Sequence, residues 1–157
     1  MNIMEHINER LSLADGSFDN GETQAIEQLV QKSPIKLPDD YIEFLKIISG
    51  ADSSGVEFIV DDGKASIWIW DAQMAIQNYE DNKEFNVFPK DLLNKIWLIG
   101  NDLGDLVFFY GEGKDGFGLY RKGMGSLVSV EGAGKIADSL TDFLVNGTGI
   151  DVAISLW

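Results

Sequence analysis

The chain has 157 residues, of which 45% are apolar and 11% aromatic, enough for one globular domain with a buried core. It contains no cysteine, which excludes disulfides, thiolate nucleophiles and cysteine-based metal sites and favours a cytoplasmic location. Its 26 acidic and 12 basic residues give a net charge of −14, so nucleic acids and anionic membranes are repelled and a basic partner is attracted. We expect no export signal, because Glu5 and Glu9 stand where a signal peptide would be basic and then apolar, and no membrane span, because no apolar segment is long enough to cross a bilayer.

Three helices are predicted in the first third of the chain. Apolar residues recur every four positions over residues 3–11, which predicts a short amphipathic helix. A loop rich in turn formers follows, and a second apolar stripe predicts a helix over residues 22–32. The third helix begins at about Leu37 or Pro38, because proline provides the φ of a first helical turn and the acidic residues after it suit the helix dipole.

The third helix carries a clear apolar stripe. Tyr41, Phe44, Leu45 and Ile48 recur at helical spacing, and Gly50 stands where a left-handed terminating residue is favourable. We therefore expect this stripe to be buried.

Beyond residue 55 the apolar period changes and predicts strands. VEFIV and ASIWIW predict a β-hairpin around a turn of Asp61, Asp62 and Gly63. Asp71 is predicted to cap a helix over residues 72–79, followed by a polar excursion from the sheet. Four further runs, IWLIG, DLVFFYG, FGLYRKG and SLVSVEG, predict an antiparallel meander.

The chain is predicted to finish with a helix and an apolar tail. A helical stripe that ends at Gly147 is made by Ile136, Ala137, Leu140, Phe143 and Leu144. The tail GIDVAISLW is apolar enough to need a packing partner, either the body of the domain or another subunit.

Residues suited to catalysis are few. His6 is the only histidine, and Gly111–Gly116 matches G-x-G-x-x-G but lies between two strands, with no helix to receive a phosphate. The pair Asp102 and Asp105 flanks Gly104, where a tight turn needs carboxylates to accept from backbone N–H groups, and we favour that role for Asp105. We expect no enzyme activity, no metal and no cofactor.

Partner binding is better supported by the acidic loops and the aromatic strands. Alternation places Trp68 and Trp70 on one sheet face and Ile67 and Ile69 on the other, so one set is core and the other is covered by a helix or anchors a partner. The candidate contact residues are Asp61, Asp62, Asp102, Glu112, Asp115, Trp68 and Trp70.

Three blocks carry a family resemblance: AIEQLVQKSPIKLPDDYIEFLKIISGA, IWLIGNDLGDLVFFY and KIADSLTDFLVNG. Over roughly Ala25 to Leu144 they resemble, in this order, the SUKH superfamily of Smi/Knr-like domains. The chain departs from the family pattern at Ser49-Gly50, often Asn-Gly, and at Leu103, where a further Gly is common. The motif residues are Leu37, Pro38, Tyr41, Phe44, Leu45, Gly50, Gly100, Gly104 and Asp105.

The resemblance implies an α+β fold, with helices packed on one face of an antiparallel sheet meander. It implies a non-enzymatic immunity protein that binds and blocks a cognate toxin domain, often a nuclease and here a basic one. A fungal branch linked to cell-wall synthesis implies the alternative of a regulatory or ligand-binding scaffold. We expect an N-terminal helix and loop at 1–20, the SUKH-like domain at 21–147 and the tail at 148–157, with homodimerisation through VAISLW or a sheet edge left open.

Overall fold

The computed structural model describes residues 3–15, 23–48 and 55–155, and the predicted helix end at Gly50 lies outside these ranges. Within them, seven strands form one antiparallel sheet whose spatial order follows the sequence. The strands are β1 (Leu11–Asp15), β2 (Gly55–Val60), β3 (Ala65–Trp70), β4 (Trp97–Asn101), β5 (Leu106–Gly113), β6 (Gly116–Gly123) and β7 (Gly134–Ala137). The helices are α1 (Thr23–Lys32), α2 (Asp39–Ile48), α3 (Ala72–Glu84), α4 (Lys90–Leu93), α5 (Leu140–Leu144) and α6 (Ile150–Ala153). The predicted α+β fold class, a sheet meander with helices on one face, is confirmed.

A buried hydrogen bond identifies the face of the sheet on which the helices pack. The indole nitrogen of Trp97 in β4 donates to the hydroxyl of Tyr41 in α2 at 3.2 Å, and both side chains are buried. Tyr110 lies opposite Trp97 on β5, with its ring centroid 5.5 Å from that of Tyr41. Phe44 and Leu45 are fully buried, so the apolar stripe of α2 faces the core as the sequence predicts.

The opposite face is covered by the chain between β6 and β7. Phe109 and Tyr120 pair across β5 and β6, stack with ring centroids 6.0 Å apart and are fully buried. Residues 124–133 cover this face: Leu127 is buried, and the ammonium of Lys122 donates to two backbone carbonyls of the segment. The strand predicted over SLVSVEG is therefore wrong, because this segment leaves the sheet.

The predictions between residues 22 and 84 are largely confirmed. The second and third predicted helices are α1 and α2, and the predicted hairpin is β2 and β3. Asp71 caps α3 by accepting from the N–H of Met74 at 2.9 Å. However, α3 continues to Glu84 instead of ending at Tyr79, so the predicted polar excursion is the continuation of the helix.

The helix predicted over residues 3–11 is wrong beyond its first turn. A 3-10 helix spans Ile3–Glu5, and Leu11–Asp15 is instead the edge strand β1, paired with β2. Ile3 and Leu11 are both buried. The four-residue spacing therefore located core contacts, but it did not determine the backbone conformation.

The helix predicted from Ile136 to Gly147 is wrong at its start. Ile136 and Ala137 lie in β7, which pairs with β6. The helix α5 begins only after Ser139, whose hydroxyl accepts from the N–H of Asp142 at 3.1 Å. Over so short a run, apolar spacing does not distinguish a strand followed by a helix from one continuous helix.

The helix α6 packs on β7 and forms an ion pair with the residue that precedes β1. Gly149, with φ of 76°, packs so closely on the carbonyl of Ile136 in β7 that any side chain would collide. Asp151 forms an ion pair at 2.7 Å with Arg10, the residue immediately before the edge strand β1. Ile150 is fully buried. Residues 150–153 therefore pack on the body of the domain.

Candidate partner-binding surfaces

The turn between β2 and β3 holds two predicted contact residues in an unusual backbone conformation. Asp61 and Asp62 have φ values of 49° and 58°, in the left-handed region that aspartate tolerates better than most residues. Arg10 donates to the Asp61 carboxylate at 2.9 and 2.7 Å and holds the pKa of that carboxyl below its usual range. Asp62 is exposed. Asp61 is thus engaged within the chain, whereas Asp62 presents its carboxylate to solvent.

The loop between β4 and β5 divides its two carboxylates between two roles. Asp102 accepts from the backbone N–H groups of Gly104 and Leu106 at 2.8 and 3.1 Å. The turn-stabilising role that we favoured for Asp105 is therefore performed by the Asp102 side chain. Asp105 is exposed, as is Leu103, which is 52% exposed. The loop offers solvent one carboxylate next to one apolar side chain.

The predicted acidic contacts lie in loops at the two opposite ends of the strands, and each set of loops forms one edge of the molecule. Strands β2 and β4 run in the same direction, so the turn after β2 and the loop after β4 emerge at one edge. The turn after β5, with Glu112 and Asp115, emerges at the other edge and both residues are exposed. The first edge is named the acidic edge and comprises Asp61, Asp62, Asp102 and Asp105.

A buried cation lies in the sheet near the acidic edge, and sequence reasoning did not identify it. Arg121 in β6 is only 1% exposed. Burial lowers the pKa of its guanidinium, while the negative charge of Asp102 opposes that shift. Because arginine stays protonated in proteins, this position keeps a fixed positive charge that attracts Asp102.

The two candidate tryptophans are mostly enclosed. Ile67 and Ile69 are fully buried on the helix side, so Trp68 and Trp70 occupy the other face of β3. Trp70 is only 6% exposed, and Trp68 is partly buried against the core. Gly100 allows β4 to approach β3, because a side chain there would collide with the Trp68 carbonyl. Neither ring is freely presented.

A concave groove of about 770 Å³ lies next to the link between α1 and α2. Three segments that are distant in sequence build it, and its lining includes Leu37, Pro38 and Glu112, which the sequence analysis had named for other roles. Phe117 on its rim is 41% exposed. The lining residues are Ile35, Lys36, Leu37, Pro38, Asp39, Asn94, Lys95, Glu112 and Phe117.

A smaller cavity of about 220 Å³ adjoins this groove, because Asn94 lines both. It extends between α3 and α4, where Lys83 and Lys90 are part of its wall. The ammonium of Lys83 lies 5.3 Å from the centroid of the Tyr79 ring, a cation–π contact. The two adjoining cavities are together named the lysine groove, after Lys36, Lys83, Lys90 and Lys95.

Metal ligands do not cluster in the part of the chain that the structure describes: no three His, Cys, Asp or Glu side chains there come close enough to hold an ion. His6 is exposed near the amino terminus. Among the same residues, no helix has the length and apolar character needed to cross a bilayer.

Comparison with known proteins identifies the family. A search of the curated proteins finds no match to this chain. A comparison with protein families matches residues 21–146 to the SMI1 / KNR4 family (SUKH-1), a span that contains all the strands from β2 to β7. The matched span also covers the Leu-Pro link of the large groove and all four residues of the acidic edge. The chain therefore belongs to the SMI1 / KNR4 family (SUKH-1).

Proposed function

We propose that this protein is a non-enzymatic immunity protein that acts in the cytoplasm by binding and blocking a cognate toxin domain. The observation that carries the proposal is the net charge of −14 on a chain of the SMI1 / KNR4 family. A toxin that cuts nucleic acid needs a basic groove for its substrate, so an acidic protein is complementary to it. The blocking mechanism is occlusion of that groove, and it requires no chemistry from this chain.

The acidic edge is the surface that we assign to the toxin. Asp62 and Asp105 are both exposed, and the loop that carries Asp105 also carries the exposed apolar side chain of Leu103. Carboxylates around an apolar anchor combine fast electrostatic steering with a desolvated contact. Glu112 and Asp115, at the opposite edge, form the competing surface.

Capture followed by rescue tests this function. The full chain is immobilised and exposed to its native cell lysate at low and at moderate salt, and retained proteins are identified. We expect a basic toxin domain that is released as the salt concentration rises. Co-expression of that domain with this protein should then restore growth, whereas expression of the domain alone should arrest it. A captured protein whose toxicity is unaffected by co-expression would refute the immunity role.

The large groove favours a second candidate, a ligand-binding regulatory module. Its volume of about 770 Å³ falls within the range typical of small-molecule sites. Such a module should be stabilised against heat by a small metabolite, because a ligand that binds only the folded state raises the melting temperature. A metabolite that protects this chain, together with a lysate that yields no toxin, would favour this function over the immunity role.

A further inference from the structure

The lysine groove has a charge opposite to that of the chain as a whole. Although the net charge is −14, the two adjoining cavities are lined by four lysines and by only two carboxylates, Asp39 and Glu112, so their lining carries a balance of +2. None of them belongs to an ion pair formed between described residues, since the lysines in those pairs are Lys32, Lys46 and Lys135. The positive excess lies in the smaller cavity, which Lys83 and Lys90 line without a carboxylate, and a concave wall of one sign attracts ligands of the other. The groove is therefore suited to an anionic occupant.

One end of the groove offers an apolar seat. Phe117 is 41% exposed, and its ring stacks on the buried Tyr110 ring with centroids 6.0 Å apart. Ile35, Leu37 and Pro38 line the same cavity. An exposed aromatic ring that is supported from beneath by a buried ring is held in place, so it can contact a partner side chain with little loss of conformational entropy.

The other end combines lysines with side-chain amides. Asn82 is only 5% exposed and is held by Asn78, to which its amide donates at 2.9 Å. Asn86 and Asn94 line the same cavity. Amide side chains both donate and accept, so they can bond the N–H and C=O groups of an extended backbone.

The fixed negative charges define a direction along the groove. Asp39 and Glu112 lie at the end near Phe117, whereas Lys83 and Lys90 lie at the end between α3 and α4. Carboxylates of an occupant are therefore favoured at the α3–α4 end and disfavoured beside the β5–β6 hairpin.

We propose that the lysine groove binds an extended acidic segment of a partner protein. An apolar side chain of that segment sits against Phe117, and its carboxylates face Lys83 and Lys90. A second copy of this chain fits less well, because exposed carboxylates such as Asp62 and Asp115 lie in tight turns that cannot extend along a groove. The proposal concerns a surface other than the acidic edge, so it does not depend on the proposed toxin binding.

Selection from a display library of random linear peptides, with the full chain as bait at low salt, tests the proposal. We expect the enriched peptides to be acidic and to contain an aromatic or large aliphatic residue. The variant Lys83→Glu/Lys90→Glu should weaken their binding by about tenfold or more. The matched control Lys64→Glu/Lys114→Glu makes the same change in net charge at two exposed turn lysines outside the groove, and it should weaken binding by less than about threefold.

Thermal melting of both variants separates loss of binding from loss of folding. Four results would overturn the proposal: no enrichment, enrichment of basic peptides, equal weakening by the two double variants, or binding that is insensitive to Phe117→Ser and to the lysine changes. Self-association of the wild type that Lys83→Glu/Lys90→Glu abolishes would identify a second copy as the occupant, and it would also overturn the proposal. Toxin capture by the acidic edge is measured separately, so failure of one proposal is distinguishable from failure of the other.

Discussion

At the residue scale, the hydrogen bond from Trp97 to Tyr41 joins the helix layer to the centre of the sheet. Both side chains are buried, and burial raises the pKa of the Tyr41 hydroxyl, which therefore stays neutral and available as an acceptor. A buried donor that loses its acceptor costs more than an ordinary hydrogen bond contributes.

We therefore expect Tyr41→Phe to lower the free energy of unfolding by about 1–3 kcal/mol, because the indole N–H of Trp97 loses its acceptor. Urea denaturation measures this change. Tyr79→Phe is the matched control: the Tyr79 ring also packs on Trp97, with centroids 5.2 Å apart, but its hydroxyl does not accept the indole proton. Equal stability of the wild type and Tyr41→Phe would show that the hydrogen bond contributes little.

Leu103 occupies a backbone conformation that suits glycine. Its φ is 64°, and its exposed side chain gains little from packing. This geometry explains physically why a glycine is common there in the family pattern. A non-glycine residue in this region destabilises the folded state by about 1–2 kcal/mol. Replacing it with glycine removes that strain, but about half of the stabilisation is offset because glycine loses more conformational entropy on folding.

Leu103→Gly should accordingly raise the free energy of unfolding by about 0.5–1 kcal/mol. Chemical denaturation of this variant and of Leu103→Ala, which keeps the Cβ atom, provides the comparison. The prediction is wrong if alanine stabilises the protein as much as glycine does, because the gain would then come from removing an exposed apolar side chain.

At the scale of elements, a carboxylate from α2 fixes the start of α5. Asp40 accepts from both the backbone N–H and the hydroxyl of Thr141, at 2.9 and 2.8 Å. The first N–H groups of a helix have no partner within the helix, so Asp40 acts as a cap supplied from another helix. Ser139 provides the local cap of the same helix. The two hydrogen bonds of Asp40 therefore connect α2 to α5.

Asp40→Ala should therefore lower the free energy of unfolding by about 1–2 kcal/mol, a cost typical of losing a helix cap. Glu43→Ala, which removes an exposed carboxylate of the same helix, should have a smaller effect, since Glu43 forms an exposed surface ion pair with Lys46. Denaturation midpoints compare the two. Equal effects would indicate that Asp40 acts through general charge and not through the cap.

Arg10 connects three segments by ion pairs. It binds Asp61 in the β2–β3 turn and Asp151 in α6, and it lowers the pKa of both carboxyls. A lowered carboxyl pKa in the folded state adds stability above the unfolded pKa, and this stability is lost as pH falls through the folded pKa. The connection should therefore hold α6 to the first hairpin at neutral pH and fail in acid.

Arg10→Gln should melt at a lower temperature than the wild type at neutral pH, and the gap should close as pH falls below about 3.9, the ordinary carboxyl value. Melting curves across this pH range measure the gap. Lys114→Gln, an exposed turn lysine in the other hairpin, removes the same charge and should show no such convergence. A gap that is constant at every pH would exclude the two carboxylates as its cause.

Elements with strong local signals were predicted from the sequence, and elements that depend on distant partners were not. Pro38, the acidic first turn and the apolar stripe suffice to locate α2, and two aspartates with a glycine suffice to locate the first hairpin. By contrast, β1 exists because β2 pairs with it, and β7 exists because β6 does. Both short runs have apolar spacing that is compatible with a helix.

The candidate surfaces were likewise predicted where the signal is local and missed where it depends on residues that are distant in sequence. Asp61 and Asp62 were recognised because they stand in a turn, but the ion pair that engages Asp61 joins residues far apart in sequence. The lysine groove was not predicted, because its walls come from four places in the chain: the α1–α2 link, α3, the α4 end and the β5–β6 hairpin. No local pattern of charge or spacing records that proximity.

At the scale of the whole molecule, the charge of −14 should control the rate at which the proposed partner, a basic toxin domain, associates. Two charge-matched variants locate the surface: Asp62→Asn/Asp105→Asn at the acidic edge, and Glu112→Gln/Asp115→Asn at the opposite edge. Asparagine also tolerates the left-handed conformation at residue 62, so the backbone of that turn is preserved. Each variant serves as the control for the other.

The most direct test is the association rate constant of the captured toxin domain, measured for the wild type and both variants as the salt concentration rises. We predict that the wild-type rate falls by about tenfold or more between low and moderate salt, and that only the acidic-edge variant is slower at low salt. A rate that does not depend on salt, or that neither variant alters, would contradict the claim that this acidic protein recognises its partner through the carboxylates of that edge.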